Sequence, residues 1–85
     1  MDNDLREKIR AKVRTLAQSR GVPVNGLTDD VLLIDAGYLD SAGVVELVVW
    51  LEMLFDTELD FGELTRANFG TIDLIMQFMA ERRGG

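Results

Sequence analysis

The pair Asp40-Ser41 stands immediately before the most apolar segment of the chain, Ala42 to Phe55. The plain reading of Ser41, at a helix start, is an N-cap, the commonest use of Ser or Asp at such a place. A hydroxyl there can also carry or receive a phosphate, because free N–H groups and the positive dipole end favour an anion. Catalysis by Ser41 alone is not expected. The chain has no His and no Cys, hence no imidazole or thiolate partner. The same absence removes disulfide scaffolds and zinc sites of the usual kind. If Ser41 reacts, another protein supplies the base or the metal.

The surroundings of Ser41 are acidic. The 85 residues carry 15 acidic and 9 basic side chains, a net charge of −6. Residues 1–20 sum to +3, residues 21–65 to −10 without one Lys or Arg, and residues 66–85 to +1. Such a balance argues against nucleic acid, whose phosphates need Lys and Arg. A long one-signed stretch steers a basic partner; its plainer use is a solvated face that keeps the protein soluble. Two short acidic motifs lack their context. Asp56-x-Glu58-x-Asp60 opens like a calcium loop, but Phe61 and Ala67 hold the places of the required Gly and Glu. Asp60-Phe61-Gly62 spells a kinase motif in a chain far too short for a kinase. Leu59 and Phe61 are expected as core anchors.

The elements that must position Ser41 follow from periodicity. Leu5, Ile9, Val13 and Leu16 share one helical face, with Asp2 or Asn3 as cap, and Gly21 and Pro23 end that helix near Arg20. Residues 21–39 are expected as a long loop, with Val31-Leu32-Leu33-Ile34 forming a turn of helix that pins it to the core. A short helix is expected around Glu63 to Asn68. The last helix starts after Thr71 as N-cap, buries Ile72, Ile75, Met76 and Met79, and ends at Gly84-Gly85. With no sustained alternation of period two, the expected fold is all-α: a small bundle of three main helices plus one short helix, in a single domain of residues 1–85. No stretch approaches the ~20 apolar residues of a membrane span. The chain opens at Met1 without a signal-peptide pattern, so a whole gene product in the cytoplasm is expected.

The segment after Ser41 is apolar on two sides. Val44, Leu47, Val48, Leu51 and Phe55 form a core stripe at ~100° per residue. Ala42, Val45, Val49 and Met53 fall opposite, Trp50 lies between, and Glu46 and Glu52 flank the second stripe. Either the terminal helices embrace both sides, or Ala42, Val45, Glu46, Val49, Trp50, Glu52 and Met53 form a partner-docking face.

The run from Gly37 to Phe55 resembles the acyl carrier protein (phosphopantetheine-attachment) family. Asp40-Ser41, Val45-Glu46-Leu47, Leu51-Glu52 and Phe55 fall at that family's spacings, and Thr71-Ile72-Asp73-Leu74 is similar to its opening of the final helix. Within the family the chain is most similar to stand-alone aminoacyl carriers, the D-alanyl carriers among them, through Gly43, Phe55-Asp56 and Arg66 shortly before Phe69. A related carrier type is loaded by truncated homologues of class II aminoacyl-tRNA synthetases. Ala42 departs from the usual Leu or Phe after the Ser. Trp50 and Met53 replace the small or acidic residues of many fatty-acid carriers.

The resemblance implies that Ser41 carries 4′-phosphopantetheine, installed from coenzyme A with Mg²⁺ by a phosphopantetheinyl transferase, with Asp40 helping to place the metal. It implies a non-enzymatic, monomeric carrier whose thiol holds an aminoacyl or acyl thioester. An adenylation enzyme or a synthetase-like ligase loads the cargo, and a downstream acyl-accepting enzyme removes it. Two other functions compete. One is an unmodified helical adaptor that docks through the apolar stripe. The other is a protein modifier conjugated through the terminal Gly84-Gly85, which would need a β-rich fold.

Overall fold

The computed structural model describes residues 2–84. Four α-helices follow one another: α1 (Asp2–Ser19), α2 (Ser41–Phe55), α3 (Arg66–Phe69) and α4 (Ile72–Gly84), with a 3-10 turn at Phe61–Glu63 before α3. No strand occurs among the described residues. The all-α bundle of three long helices and one short one is therefore as expected.

The helical periodicities place the core. Ile9, Val13 and Leu16 of α1, Leu47, Val48 and Leu51 of α2, and Ile72, Ile75, Met76 and Met79 of α4 are buried in one cluster. Leu5, Val44, Trp50 and Phe55 are half-buried against it. Phe69 of α3 packs on Phe78 of α4 with ring centroids 5.2 Å apart. Gly21, at φ +78°, ends α1: its N–H donates to the carbonyl of Gln18, and the Val22 N–H to that of Ala17. This pair of bonds closes a helix on a left-handed residue, a conformation that suits glycine. At the other end α1 already includes both Asp2 and Asn3, which excludes either as the cap. The side chain of Asp2 lies outside the described residues, as does Gly85. Thr71 caps α4 as expected, its Oγ1 accepting the Leu74 N–H at 3.0 Å.

Three expectations need correction. Val31 to Ile34 form no helix; a single helical-type bond, Ala36 N–H to the Leu32 carbonyl, stands among tighter turns. Leu33 alone of the four is fully buried. Its N–H donates to the carbonyl of Gly70 and its own carbonyl accepts the N–H groups of Tyr38 and Leu39. These tertiary bonds satisfy the backbone that a helix would have satisfied locally. The short helix expected at Glu63 to Asn68 divides into the 3-10 turn and α3, which Thr65 caps through Oγ1. Phe61 is not a core anchor: it is 86% exposed. Leu59 is half-buried against the core.

Candidate functional site

The chain enters the site on rigid footing. Tyr38 and Leu39 are buried, so the backbone is anchored directly before Asp40. Asp40, not Ser41, is the N-cap of α2: its Oδ1 accepts the Gly43 N–H at 2.7 Å, and its extended backbone (φ −108°, ψ −175°) is that of a capping residue. Space around this bond is scarce. A Cβ on Gly43 would stand 3.2 Å from both Asp40 Oδ1 and Leu39 Cδ2. The Asp40 Oδ2 faces Arg20 Nε at 3.6 Å, and Arg20 also donates weakly to the Gly37 carbonyl at 3.4 Å. The end of α1 is thus tethered to the loop that presents the serine.

Ser41 occupies the first helical position and is exposed. Its hydroxyl, released from capping by Asp40, makes no hydrogen bond to another described residue. The N–H groups of Ser41 and Ala42 likewise have no acceptor among the described residues, as at any helix start. An anion attached at the Ser41 Oγ would sit beside these donors and the positive end of the α2 dipole.

The second stripe of α2 faces outward. Val45 is 45%, Val49 47% and Met53 79% exposed, while Ala42 and Glu46 are exposed beside them. Trp50 and Glu52 are half-buried. Glu52 is engaged within the fold, its Oε2 accepting the Leu59 N–H at 2.8 Å. The helix therefore has one face in the core and another in solvent. Neither α1 nor α4 wraps round to cover the outer stripe. Among the described residues no cluster of three or more acidic side chains is arranged to hold a metal ion. Among the described residues no helix is long and apolar enough to cross a membrane.

No family model matches the chain. Curated relatives do. A D-alanyl carrier protein of Streptococcus uberis is 43% identical over 49 residues, 58% of this chain and 62% of the relative. Its counterpart in Streptococcus thermophilus is 43% identical over 51 residues, 60% of this chain and 65% of the relative. That of Streptococcus equi subsp. zooepidemicus is 41% identical over 49 residues. The chain has homologues among the D-alanyl carrier proteins. The match spans less than two thirds of the length of these relatives. It supports a carrier role, consistent with a stand-alone aminoacyl carrier, and not the β-rich modifier. The plain reading of Ser41 as the N-cap is corrected, since Asp40 caps α2; what sequence reasoning left open was whether the second stripe is covered. What it missed was the exposure of Phe61, for which the residue types carry no signal.

Proposed function

We propose that residues 1–85 act as a single aminoacyl carrier domain bearing 4′-phosphopantetheine on Ser41. One observation carries the reading: at the spacing shared with the carrier family, an exposed serine with a free hydroxyl opens the helix, while the preceding Asp40 does the capping. The fit to a phosphate-linked arm is good, since the Ser41 Oγ points to no partner that would have to be displaced, and the neighbouring N–H groups favour the phosphodiester. Bound there, the arm supplies a thiol that holds the cargo as a thioester; the chain supplies the anchor and a docking face.

Asp40, whose Oδ1 holds the cap and whose Oδ2 faces Arg20, would help place the Mg²⁺ of a transferase at the head of α2. Val45, Val49 and Met53, with Ala42, Glu46, Trp50 and Glu52 around them, form the face that partners recognise. Those partners are a phosphopantetheinyl transferase, a ligase that loads an aminoacyl or acyl group, and an enzyme that accepts it. The carrier acts in the cytoplasm as a monomer, as a substrate of these enzymes and not as an enzyme itself.

The test is the intact mass after incubation with coenzyme A, Mg²⁺ and a promiscuous phosphopantetheinyl transferase. The native chain gains one phosphopantetheine, and Ser41→Ala gains nothing while keeping its helical spectrum. A native chain of unchanged mass would refute the carrier reading and leave the helical adaptor.

A further inference from the structure

Phe61 is the most exposed large apolar side chain among the described residues, more so than Met53. It is also firmly mounted. The Asp60 N–H donates to Glu63 Oε1 at 2.9 Å, the Glu63 N–H to the Asp60 carbonyl at 2.9 Å, and the Leu64 N–H to the Phe61 carbonyl at 3.0 Å. Arg82 of α4 pairs with Glu63 and donates to the Glu58 carbonyl, while Glu52 of α2 holds the Leu59 N–H. Side chains from two long helices thus fix a turn whose aromatic ring points into water. Exposure of so large an apolar surface on a fixed mount marks an interaction site more often than chance.

The ring faces α2. Val45, Val49, Glu52, Leu59 and Phe61 line a cavity of about 200 Å³ between the helix and the turn. Past Val49 and Leu59 an open depression continues to Met53, Asp56, Glu58 and Asp60. The groove begins at Val45, one helical turn from Ser41. It is bordered by the exposed carboxylates of Asp56, Glu58 and Asp60 and by the half-buried Glu52. Its neighbouring cation, Arg82, is already paired with Glu63.

We propose that Phe61 and the outer stripe of α2 are the two walls of one docking groove. Its occupant is an apolar side chain ringed by Arg or Lys, presented by the enzyme that modifies Ser41. This rests on the carrier reading above and adds to it a specificity-determining residue outside α2. Charge selects the occupant. A second copy of the chain docking groove to groove would bring the same carboxylates together, and like charges in contact are unfavourable. A basic-rimmed protein meets complementary charge at the rim and fills the apolar floor, the arrangement in which a central aromatic contributes most.

The test is the steady-state rate of phosphopantetheine transfer to Ser41 by the promiscuous transferase, with the concentration of the carrier chain varied. Phe61→Ala is expected to raise KM about tenfold, the loss of one central anchor, with kcat and melting temperature unchanged. Phe61→Trp, which keeps an aromatic wall, is expected to stay within about twofold of the native KM. A native chain that is modified while Phe61→Ala shows the native KM overturns the groove and leaves the carrier reading intact. A native chain that is not modified overturns both. A fall in kcat and melting temperature together would make Phe61 structural. A concentration-dependent dimer dissolved by Phe61→Ala would assign the groove to self-association.

Discussion

At the scale of the residue, the division of labour between Asp40 and Ser41 decides what Ser41 can do. A serine that caps its own helix spends its hydroxyl oxygen on a backbone N–H; here Asp40 takes the Gly43 N–H and the serine is left exposed. Asp40→Ala should lower stability by about 1 kcal/mol, the ordinary worth of an N-cap. Asp40→Asn, whose amide oxygen can still accept from Gly43, should recover most of it. Thermal melts check both. If Asp40 also positions the transferase metal, Asn restores stability without restoring the rate of phosphopantetheine transfer. A rate that follows stability in both variants would reduce Asp40 to a cap. Residue types announced a cap at the head of α2 and pointed to Ser41. The structure gives the role to Asp40, because Asp and Ser are near-equal caps and the choice depends on where Leu39 locks the backbone.

At the scale of the element, α2 is a helix with two apolar faces of opposite fate. The stripe through Leu47 and Leu51 is in the core, and the stripe through Val45, Val49 and Met53 is in solvent. Leu47→Ala should cost about 2–5 kcal/mol, as for a buried leucine truncated to a cavity. Val49→Asp and Met53→Asp should change stability by no more than about 0.5 kcal/mol, as for exposed positions away from special features. Both are nevertheless expected to slow loading by the partner ligase. Chemical denaturation measures the first effect and a loading assay the second. A large loss of stability in Val49→Asp would show that the outer stripe is structural. Periodicity separated the two stripes correctly, since a 3.6-residue repeat is a local property. It also named the stripe through Leu47 and Leu51 as the core face, and left open whether the second stripe would be covered as well. That depends on the path of residues 56–64, where Asp56 takes a left-handed conformation at φ +52° and the chain turns back along the helix.

At the scale of the whole molecule, charge both tethers the fold and marks its surface. Asp29, in the long loop, receives Arg10 of α1 in a bidentate pair at 2.9 Å and Arg6 at 2.7 Å, and Arg6 also reaches Asp73 of α4. Burial pushes the Asp29 carboxyl up, but the hydrogen bonds and charges of Arg6 and Arg10 outweigh it and hold its pKa below the ordinary value. A carboxyl whose folded pKa is depressed stabilises the fold above its unfolded pKa and loses that contribution as pH falls through the folded value. Asp29→Asn should therefore melt several degrees below the native chain at neutral pH; the gap should begin to narrow near about pH 4, where the unfolded carboxyl takes up its proton, and close as the pH falls through the lower folded value. A gap independent of pH would mean that packing, not charge, holds the loop. The ten carboxylates of residues 21–65 act outward as well. Loading and phosphopantetheine transfer should slow as ionic strength rises, since salt screens steering over about 10 Å at 0.1 M. A rate indifferent to salt would count against steering.

The amino-acid sequence by itself determined the helices, their buried faces, the acidic middle and the placing of Asp40-Ser41 at the head of α2. Each of these is a local matter of residue type, spacing and sign of charge. Only the tertiary structure decided the rest. The segment Val31 to Ile34 became anchored turns because Gly70, far along the chain, supplies the carbonyl that Leu33 needs. Asp29 became the hub of a charge network that joins α1 and α4 because the loop passes the two helices together. Phe61 went to solvent because Arg82 and Glu52 fix its turn beside α2 with the ring outward. An apolar residue has the same tendency toward the core wherever it stands; whether it gets there depends on the neighbours that the fold brings to it.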